Sequence, residues 1–311
     1  MDNYKPKYLK LYKSGELLKR AKTAIKLLKN CRICPQNCRV DRAKGEKGVC
    51  RAGRELVVSG VSPHYGEEKV LVGKGGSGTI FFSWCNLSCV FCQNCDTSQE
   101  GNGYTISEEK LGEAMVRLQN LGVENINLVS PSHYWPQILK AIYYAANKGL
   151  KIPIVYNTGC YDTTTALRFM EDVVDIYMPD IKFSDDETAR KYAGAPRYFS
   201  VAKKAVKEMH RQVGDLKLDS RGIAYRGLLI RHLVLPEDLS GTEEVLDFIA
   251  EEVSKNTYIN IMDQYYPAHK AYNIPPLNRR ITKKEFRKAI VMAQKKGLHR
   301  LEKPYRYHKF L

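Results

Sequence analysis

Residues 78–95 read GTIFFSWCNLSCVFCQNC, and this stretch carries the clearest chemical signal in the chain. The apolar run over 79–84 predicts a strand that leads directly into Cys85, Cys89 and Cys92. The spacing C-x3-C-x2-C places three thiolates on one tight loop, where they can bind one metal centre. Cys95 is close, but no fourth ligand is in register, so a four-iron cluster here would keep one iron open. A zinc knuckle is the alternative.

A second cysteine group precedes this stretch, in CRICPQNCRVDRAKGEKGVC over 31–50. Its thiols are those of Cys31, Cys34, Cys38 and Cys50, spaced C-x2-C-x3-C-x11-C. Four soft ligands within one short segment suit a closed zinc site or a small iron–sulfur site. Gly45 and Gly48 allow the loop to fold back toward the first cysteines. We expect a structural metal here, with an electron-relay cluster as the alternative.

Composition narrows the class of protein. The 311 residues suffice for a barrel of alternating strands and helices plus an extension. No run of about 18 apolar residues predicts a membrane helix, and the charged N-terminus lacks the apolar core of a signal peptide. We therefore expect a cytoplasmic protein whose nine cysteines are thiols or metal ligands. The net charge of +16 is spread along the chain and indicates a Lys-rich surface. It also suits an acidic partner, whereas the lack of an Arg/aromatic stacking motif argues against nucleic acid.

Hydrophobic periodicity gives the element order. A helix is predicted over 7–29, with Leu17, Ala21, Ala24 and Leu28 on its apolar face and Ser14 as its cap. After the cysteine loop, strands are predicted at 125–130, 152–157, 173–182, 227–235 and 258–266. Helices are predicted at 108–121 (capped by Ser107), 134–148, 163–170, 185–193, 198–213, 242–254 (capped by Thr242 or Ser240) and 281–297. Residues 54–72 read as short strands and turns, and 214–226 as a hairpin.

Six strands that alternate with helices predict an α/β fold with parallel strands. A doubly wound open sheet is the alternative, but no G-x-G-x-x-G motif follows any strand. Polar residues collect where the predicted strands end, which is where barrels of this kind carry their sites. They are Ser130 to His133, Asn157 to Cys160, Asp180 and Lys182, Arg231 and His232, and Asp263 and Gln264. The stretch PHYGEE, with His64, Glu67 and Glu68, could face the same site.

The stretch CNLSCVFC resembles the cluster motif of the radical S-adenosylmethionine (SAM) enzymes, C-x3-C-x-aromatic-C, with Phe91 in the aromatic slot. GSGTIFFSWCNLSCVFCQN is similar to proteins related to the pyruvate formate-lyase activating enzyme, and the resemblance runs from about Cys31 to the region of His269. It implies a partial (βα)6 TIM-type barrel, the radical SAM core, with an N-terminal Cys-rich metal-binding extension. The implied parts are 1–75 (helix and four-Cys module), 76–280 (barrel) and 281–311 (C-terminal helix and basic tail).

The resemblance also implies a reaction. A 4Fe-4S cluster on Cys85, Cys89 and Cys92 would bind SAM through its amine and carboxylate. An electron from a flavodoxin- or ferredoxin-like donor would cleave SAM to methionine and a 5′-deoxyadenosyl radical, which abstracts hydrogen from a substrate. In the narrower group that substrate is a glycyl residue of a partner enzyme, and a peptide or small molecule is the alternative. The family carries a similar four-cysteine module, which implies a second metal, zinc or iron–sulfur, at the N-terminal site.

Residues that would hold SAM follow from the same resemblance. Phe91 would lie near the adenine, Asn157, Asp180 and Lys182 match SAM-holding positions, and His269 matches a ribose-binding His. Asp180 suits a ribose hydroxyl, while Lys182 and Arg231 suit the SAM carboxylate.

Two departures stand out. Relatives often carry an acid where this chain has Asn157, and SPSH replaces the Gly-Gly-Glu stretch that holds the SAM amine. Ser130, Ser132 or backbone carbonyls would take over that contact. The alternative of a different class is a non-catalytic zinc or iron–sulfur protein that binds nucleic acid or an acidic partner. The charged strand ends argue for the enzyme.

Overall fold

The computed structural model describes residues 4–303, and in this range the chain forms nine strands and eleven α-helices. The strands are β1 (Leu56–His64), β2 (Ser77–Phe82), β3 (Tyr104–Ile106), β4 (Ile126–Val129), β5 (Ile154–Thr158), β6 (Ile176–Pro179), β7 (Lys217–Leu218), β8 (Ala224–Leu233) and β9 (Tyr258–Met262). The helices are α1 (Tyr8–Lys13), α2 (Glu16–Lys26), α3 (Lys69–Val72), α4 (Cys95–Ser98), α5 (Glu108–Asn120), α6 (Trp135–Asn147), α7 (Thr164–Met170), α8 (Asp186–Ala193), α9 (Tyr198–Val213), α10 (Thr242–Phe248) and α11 (Lys283–Lys295). Among them none is long and apolar enough to cross a membrane. Residues 304–311 of the predicted basic tail, and residues 1–3, lie outside the described range.

Six strands form the predicted parallel core. The sheet order is β3-β1-β2-β4-β5-β6-β8-β7, and β9 pairs with β8. Strands β2, β4, β5, β6, β8 and β9 are parallel neighbours in that order. Within residues 4–303, β9 has no second strand partner, so the barrel stays open. The predicted α/β fold with a partial barrel is therefore confirmed, and β1 adds an antiparallel strand beside β2. The division into three parts stays a prediction.

The N-terminal helix is broken, which corrects the prediction of one helix over 7–29. Gly15 has a φ of +76° and begins α2, so Ser14 ends α1 instead of capping the longer helix. Leu17, Ala21 and Ala24 are buried, as their spacing predicted, and α2 packs on α6. The break follows from glycine, which adopts the left-handed backbone at little cost.

One predicted cap is confirmed, and other element ends differ from the predictions. Ser107 does cap α5, since its hydroxyl accepts the Lys110 N–H at 3.2 Å. At α10 neither predicted residue is the cap, because Gly241 occupies that position with a φ of +59°. Helix α10 ends at Phe248 and continues as a π-helical turn, Ile249–Val253. Strand β9 ends at Met262, short of the predicted 266.

The inside of the barrel is closed at one end. Residues 54–72 form one long strand, β1, and the short helix α3. Val70 and Leu71 of α3 pack against Val155, Ile176 and Leu229. Val155 and Ile176 lie at the starts of β5 and β6, and Leu229 lies within β8. Alternate residues of a strand face opposite sides, so the other side of these strands packs against the surrounding helices. Helix α3 thus forms a plug at one end of the barrel, and the carboxyl ends of the strands are left as its accessible end.

Candidate active site

A cavity of about 270 Å³ lies at the carboxyl ends of the parallel strands. It is lined by cysteines of the loop after β2 and by polar residues that end the other strands. The lining includes Cys85, Cys89, Phe91, Cys92, Ser130, Asn157, Asp180, Lys182, Arg231 and Gln264. The fold thus brings together the cysteine loop and predicted SAM-binding residues from three different strands and the segments that follow them.

The loop with the three cysteines, residues 85–92, is fixed by backbone hydrogen bonds from two directions. The N–H groups of Ser88 and Val90 donate to the carbonyls of Ala193 and Tyr192, each at 2.8 Å, at the end of α8. From the other direction, Ala271 N–H donates to the Val90 carbonyl at 3.0 Å. These contacts hold the loop across the open end of the barrel.

The thiols of this loop are buried beside a cation. Burial raises the pKa of Cys85 to about 11 and that of Cys89 to about 12, while the Lys182 ammonium acts in the opposite direction. The Cys92 sulfur is 3.1 Å from the Ser98 hydroxyl. Bound metal would hold these thiols as thiolates, and Lys182 would balance part of that charge.

Three soft sulfur donors that line one cavity beside a buried cation fit a 4Fe-4S cluster. In residues 4–303 no three His, Cys, Asp or Glu side chains converge tightly enough for a single metal ion. A cluster of four irons occupies more space than one ion, so more widely set thiols are compatible with it.

A charged network lies next to the cysteine loop. The Arg231 guanidinium donates to Asp180 at 2.6 Å from Nε and to Asn157 at 2.8 Å from Nη2. Its Nη1 lies 3.5 Å from Glu67 and 3.8 Å from Glu68. The Lys182 ammonium donates to the second oxygen of Asp180 at 2.7 Å. Both carboxylates of the PHYGEE stretch therefore reach this network, while His64 stays exposed.

Burial and ion pairing compete within this network. Burial raises the pKa of Asp180, but Arg231 and Lys182 together lower it to about 2, so Asp180 is ionised at neutral pH. Burial raises the pKa of Glu67 to about 7, against the attraction of Arg231 and with the help of the Glu68 charge. Lys182 is also held charged, since Asp180 raises its pKa against the effect of burial.

The remaining predicted SAM contacts fall in two places. Phe91 is buried in the cavity wall, with its ring centroid 6.0 Å from those of Phe183 and Tyr265. His269 begins a 3-10 turn, His269–Asn273, and does not line the cavity. Its predicted ribose contact stays a prediction.

The SPSH segment is anchored by a carboxylate that the sequence pattern did not single out. The Ser132 hydroxyl is 2.9 Å from Thr158 Oγ1, which donates to the buried Asp162 at 2.5 Å. Tyr156 donates to the other Asp162 oxygen at 3.0 Å. Ser132 is 2 % exposed and thus turned inward, whereas Ser130 lines the cavity. The place of Asp162 just after β5 is the one signal that could have indicated it.

Three other strand-end residues point away from the cavity. His133 is fully buried, with Nε2 2.9 Å from the Ser83 carbonyl. His232 is fully buried too and bonds the Ile181 carbonyl and the Thr242 hydroxyl. Cys160 is fully buried as well: its sulfur faces the Ala202 carbonyl at 3.9 Å and does not line the cavity. These side chains support the fold.

The four-cysteine segment folds back on itself beside the cysteine loop. Cys31 N–H donates to the Val40 carbonyl at 2.9 Å, and Cys38 Sγ accepts from the Val49 N–H at 3.4 Å. At Gly48 a Cβ would lie 2.6 Å from Cys38 Sγ, so only glycine fits. Burial raises the pKa of Cys34, and the nearby charge of Cys50 adds to the rise. These contacts fold the segment back on itself, but within residues 4–303 no three of its thiols converge on one metal position, and the metal predicted for them stays a prediction.

Comparison with known proteins gives one close match and several distant ones. A protein of Methanocaldococcus jannaschii named "Uncharacterized protein MJ0674" is 34% identical over 306 residues, which covers 96% of this chain and 84% of that protein. Solved structures that share part of the fold include TYW1 with a lysine-pyruvate adduct (10% identity, 70% of this chain, 73% of that chain, TM-score 0.44). Native anSMEcpe with bound AdoMet matches at 15% identity, with 68% of this chain, 57% of that chain and a TM-score of 0.46. Both TM-scores lie below 0.5, so these structures share only part of the fold.

The family assignment rests on the sequence. The sequence model of the radical SAM superfamily matches residues 79–249, more than half of the chain. This span begins in β2, includes the three cysteines and the strands that carry Asn157, Asp180 and Arg231, and ends just past α10. Members of this family cleave SAM at an iron–sulfur cluster. The chain therefore belongs to the radical SAM superfamily.

Proposed function

We propose that this protein is an enzyme that binds SAM in the cavity at the strand ends and abstracts hydrogen from a peptide or protein substrate. The observation that carries the proposal is that Cys85, Cys89 and Cys92 line the same cavity as Asp180 and Lys182. Cys85, Cys89 and Cys92 would hold a 4Fe-4S cluster, and such a cluster would supply the electron for the reductive cleavage of a carbon–sulfur bond of SAM. The proposal includes a flavodoxin- or ferredoxin-like protein as the donor of that electron.

The chain's own residues divide the work of holding SAM. Lys182 gives one N–H to Asp180 and keeps further donors for the SAM carboxylate. Asp180 is ionised and accepts from a ribose hydroxyl. Phe91 supplies an apolar surface for the adenine.

Arg231 already donates to Asp180 and Asn157 and lies against Glu67. We therefore assign it the role of orienting Asp180 and Asn157, in place of the direct carboxylate contact that the sequence suggested. The SAM amine faces the backbone of Ser130, since the Ser132 hydroxyl is buried against Thr158.

The substrate class is the finer part of the proposal. Uncharged amide and hydroxyl side chains line the cavity on the side of the cysteine loop and after β9. They are Gln93, Asn94, Thr97, Ser98 and Gln264. Such groups pair with the N–H and carbonyl groups of an extended peptide, which favours a peptide segment as substrate, and the resemblance to activating enzymes adds the proposal that a glycyl residue of it loses the hydrogen. A non-catalytic metal protein, the alternative class, has no need of ionised residues beside the cysteine loop.

The test is anaerobic. The protein is reconstituted with iron and sulfide, SAM and dithionite are added, and 5′-deoxyadenosine is quantified beside Cys89→Ala. We expect product from the wild type and none from the variant. A protein with an assembled cluster that neither binds SAM nor forms 5′-deoxyadenosine would contradict the proposal.

Two further measurements address the contacts and the substrate. Lys182→Met should weaken SAM binding about tenfold or more, because a charge-assisted hydrogen bond is lost. The exposed Lys151 gives the matched control, Lys151→Met, which should leave the affinity unchanged. A peptide with deuterated glycine should transfer deuterium to 5′-deoxyadenosine, whereas a peptide with deuterated alanine should not. Equal transfer from both would overturn the glycyl assignment.

A further inference from the structure

The excess of positive charge is concentrated before strand β1. Residues 1–55 hold 16 Lys and Arg against 5 Asp and Glu, a net charge of +11, whereas the other 256 residues hold 34 against 29, a net charge of +5. Basic residues do occur along the whole chain, but acidic ones are scarce in its N-terminal part. This corrects the expectation of an evenly spread charge. A surface with such a one-sided charge attracts a partner of the opposite sign.

Helix α2 presents a row of these cations to solvent. Leu17, Ala21 and Ala24 form its buried side, and lysines spaced three and four residues apart lie on the opposite side. The segment 31–51, which follows, adds further exposed cations. We call the whole set the N-terminal basic surface. It consists of Lys19, Lys22, Lys26 and Lys29 from α2 and the turn after it, and of Arg32, Arg39, Lys44, Lys47 and Arg51 from the segment 31–51.

The few acidic residues of this part do not neutralise that surface. Asp41 accepts two backbone N–H groups of its own loop at 3.0 and 3.3 Å, and Glu46 accepts the Asp41 N–H at 2.7 Å. Glu16 is shared by Lys19 and Arg20. Within residues 4–303, the other eight cations of the N-terminal basic surface have no carboxylate within 4.0 Å. Their charge is therefore directed to solvent.

Two exposed apolar side chains lie in the same part of the chain. Leu27 is 37 % exposed and Val49 is 54 % exposed. Both stand between cations, Leu27 directly after Lys26 and Val49 between Lys47 and Arg51. Binding of single-stranded nucleic acid usually relies on exposed aromatic rings that stack on bases. The tyrosines of this part are buried or half-buried, and they are Tyr4, Tyr8 and Tyr12. Apolar side chains among cations therefore favour an acidic protein segment over nucleic acid.

The N-terminal basic surface reaches the edge of the cavity. Arg51 donates to the Gln99 carbonyl at 3.0 Å. Gln99 directly follows Ser98, which lines the cavity on the side where the proposed peptide binds. Gln36, within the segment 31–51, donates to the Asn86 carbonyl of the cysteine loop at 2.9 Å. A peptide that leaves the cavity past Ser98 would meet this surface next.

We propose that the N-terminal basic surface docks an acidic segment of the partner protein whose glycyl residue enters the cavity. The inference rests on the proposed function for the nature of the substrate, and it adds the chemistry by which the partner is recognised. Carboxylates of the partner pair with the lysine row of α2 and with the arginines of the segment 31–51, and its apolar side chains pack on Leu27 and Val49. Charge pairs of this kind raise the association rate and fix the orientation of the partner.

Binding of defined probes to the full, reconstituted chain tests the surface. The probes are a fluorescent peptide rich in glutamate and leucine, the same peptide with glutamine in place of glutamate, and oligouridine of equal length. We expect the glutamate peptide to associate about tenfold faster or more than the glutamine peptide at low salt, and the difference should shrink as salt is raised. Equal association of the two peptides would overturn the inference. Tighter binding of oligouridine than of the glutamate peptide would assign the surface to nucleic acid and would overturn it too.

Matched variants locate the binding. Lys22→Gln/Lys26→Gln/Lys29→Gln should slow association of the glutamate peptide about tenfold or more, because three cations are removed with little change in helix propensity. The control removes the same charge from exposed positions of α11 and should stay within roughly twofold. It is Lys284→Gln/Arg287→Gln/Lys295→Gln. Circular dichroism verifies folding, and equal effects of the two triple variants would overturn the docking surface.

The apolar contact has its own variant. Leu27→Ser should speed the dissociation of the leucine-containing peptide and leave the binding of oligouridine unchanged, because only the peptide has side chains that pack on Leu27. Unchanged dissociation of the peptide would overturn the role of Leu27.

The binding measurements need neither SAM nor a reductant, so their outcome is independent of the proposed reaction. In a second measurement, the deuterated glycine peptide is extended by a glutamate-rich segment. The extension should lower KM for deuterium transfer about tenfold or more with kcat unchanged, and it should have no effect in the triple lysine variant. Deuterium transfer that gains nothing from the extension would overturn the docking and leave the proposed function intact. Binding of the glutamate peptide by a protein that forms no 5′-deoxyadenosine would support the surface and contradict the proposed function.

Discussion

Arg231 contacts Glu67, just before the plug helix α3, and Asp180, which lines the cavity. Removal of Arg231 should therefore lower the free energy of unfolding. The Arg231→Met variant is expected to lose roughly 3–5 kcal/mol of stability, because one partner of a buried ion network is removed. Burial raises the pKa of Asp180, yet the two cations lower it from 3.8 to about 2. That difference corresponds to roughly 2–3 kcal/mol in favour of the charged form. Without Arg231, Glu67 and Glu68 also lose their nearest cation.

The assay is urea unfolding at about pH 7.5 and about pH 5.5, with matched metal content. Burial already raises the pKa of Glu67 from 4.5 to about 7, and loss of Arg231 raises it further. The folded variant then binds more protons than the unfolded chain at any pH between 4.5 and the raised pKa. The free energy of unfolding of Arg231→Met should therefore rise as the pH falls, and the difference in this free energy between the wild type and the variant should become smaller.

A double variant isolates the Glu67 interaction. Glu67→Gln/Arg231→Met should regain about 1–2 kcal/mol relative to Arg231→Met at about pH 7.5, because a glutamine avoids the cost of protonating or burying the Glu67 carboxylate on folding. The reasoning is refuted if Arg231→Met lies within about 1 kcal/mol of the wild type at neutral pH. A deficit that widens on acidification would refute it as well.

Three further predictions concern stability. Asp162→Asn should cost about 1–3 kcal/mol in thermal unfolding, because an amide leaves the Thr158 hydroxyl without its present acceptor; an unchanged midpoint would contradict this. Thr282→Ala should cost about 1 kcal/mol, because it breaks the capping box with Glu285 at the start of α11, and urea unfolding should resolve the loss. The stability gap between the wild type and Asp180→Asn should shrink as the pH falls from 3.8 toward about 2, since the folded pKa of Asp180 is lowered. A gap that shrinks between pH 7 and 5 would assign the titration to another group.

The sequence predicted the part of the site that local pattern and sheet geometry determine. Apolar runs that alternate with helices require parallel strands, and parallel strands bring their carboxyl ends to one edge. Asn157, Asp180 and Arg231 therefore had to meet near the cysteine loop. The cysteine spacing was recognisable because the three thiols predicted to bind one metal centre lie within eight residues.

What the sequence did not predict depends on contacts between distant segments. Glu67 meets Arg231 across 164 positions of the chain, and only the folded plug brings them together. Arg42 is buried and donates to the His133 carbonyl, which lies 91 positions away in the chain. The cap of α10 is decided by space, since a Cβ on Gly241 would lie 1.7 Å from Ser184 Oγ. None of these distances leaves a trace in hydrophobic periodicity.

The charges around the cavity match the charge of the proposed ligand. Three carboxylates, those of Glu67, Glu68 and Asp180, surround the cations Arg231 and Lys182, so the ionised network carries a surplus negative charge. SAM is a cation at neutral pH, because its sulfonium and ammonium groups outnumber its carboxylate. The attraction between the negative network and the SAM cation grows where water is excluded. The network should therefore bind SAM more tightly than S-adenosylhomocysteine, which lacks the sulfonium charge. The pKa of Glu67 near 7 allows this surplus to vary with protonation, so the site can take up or release a proton as the ligand's charge changes.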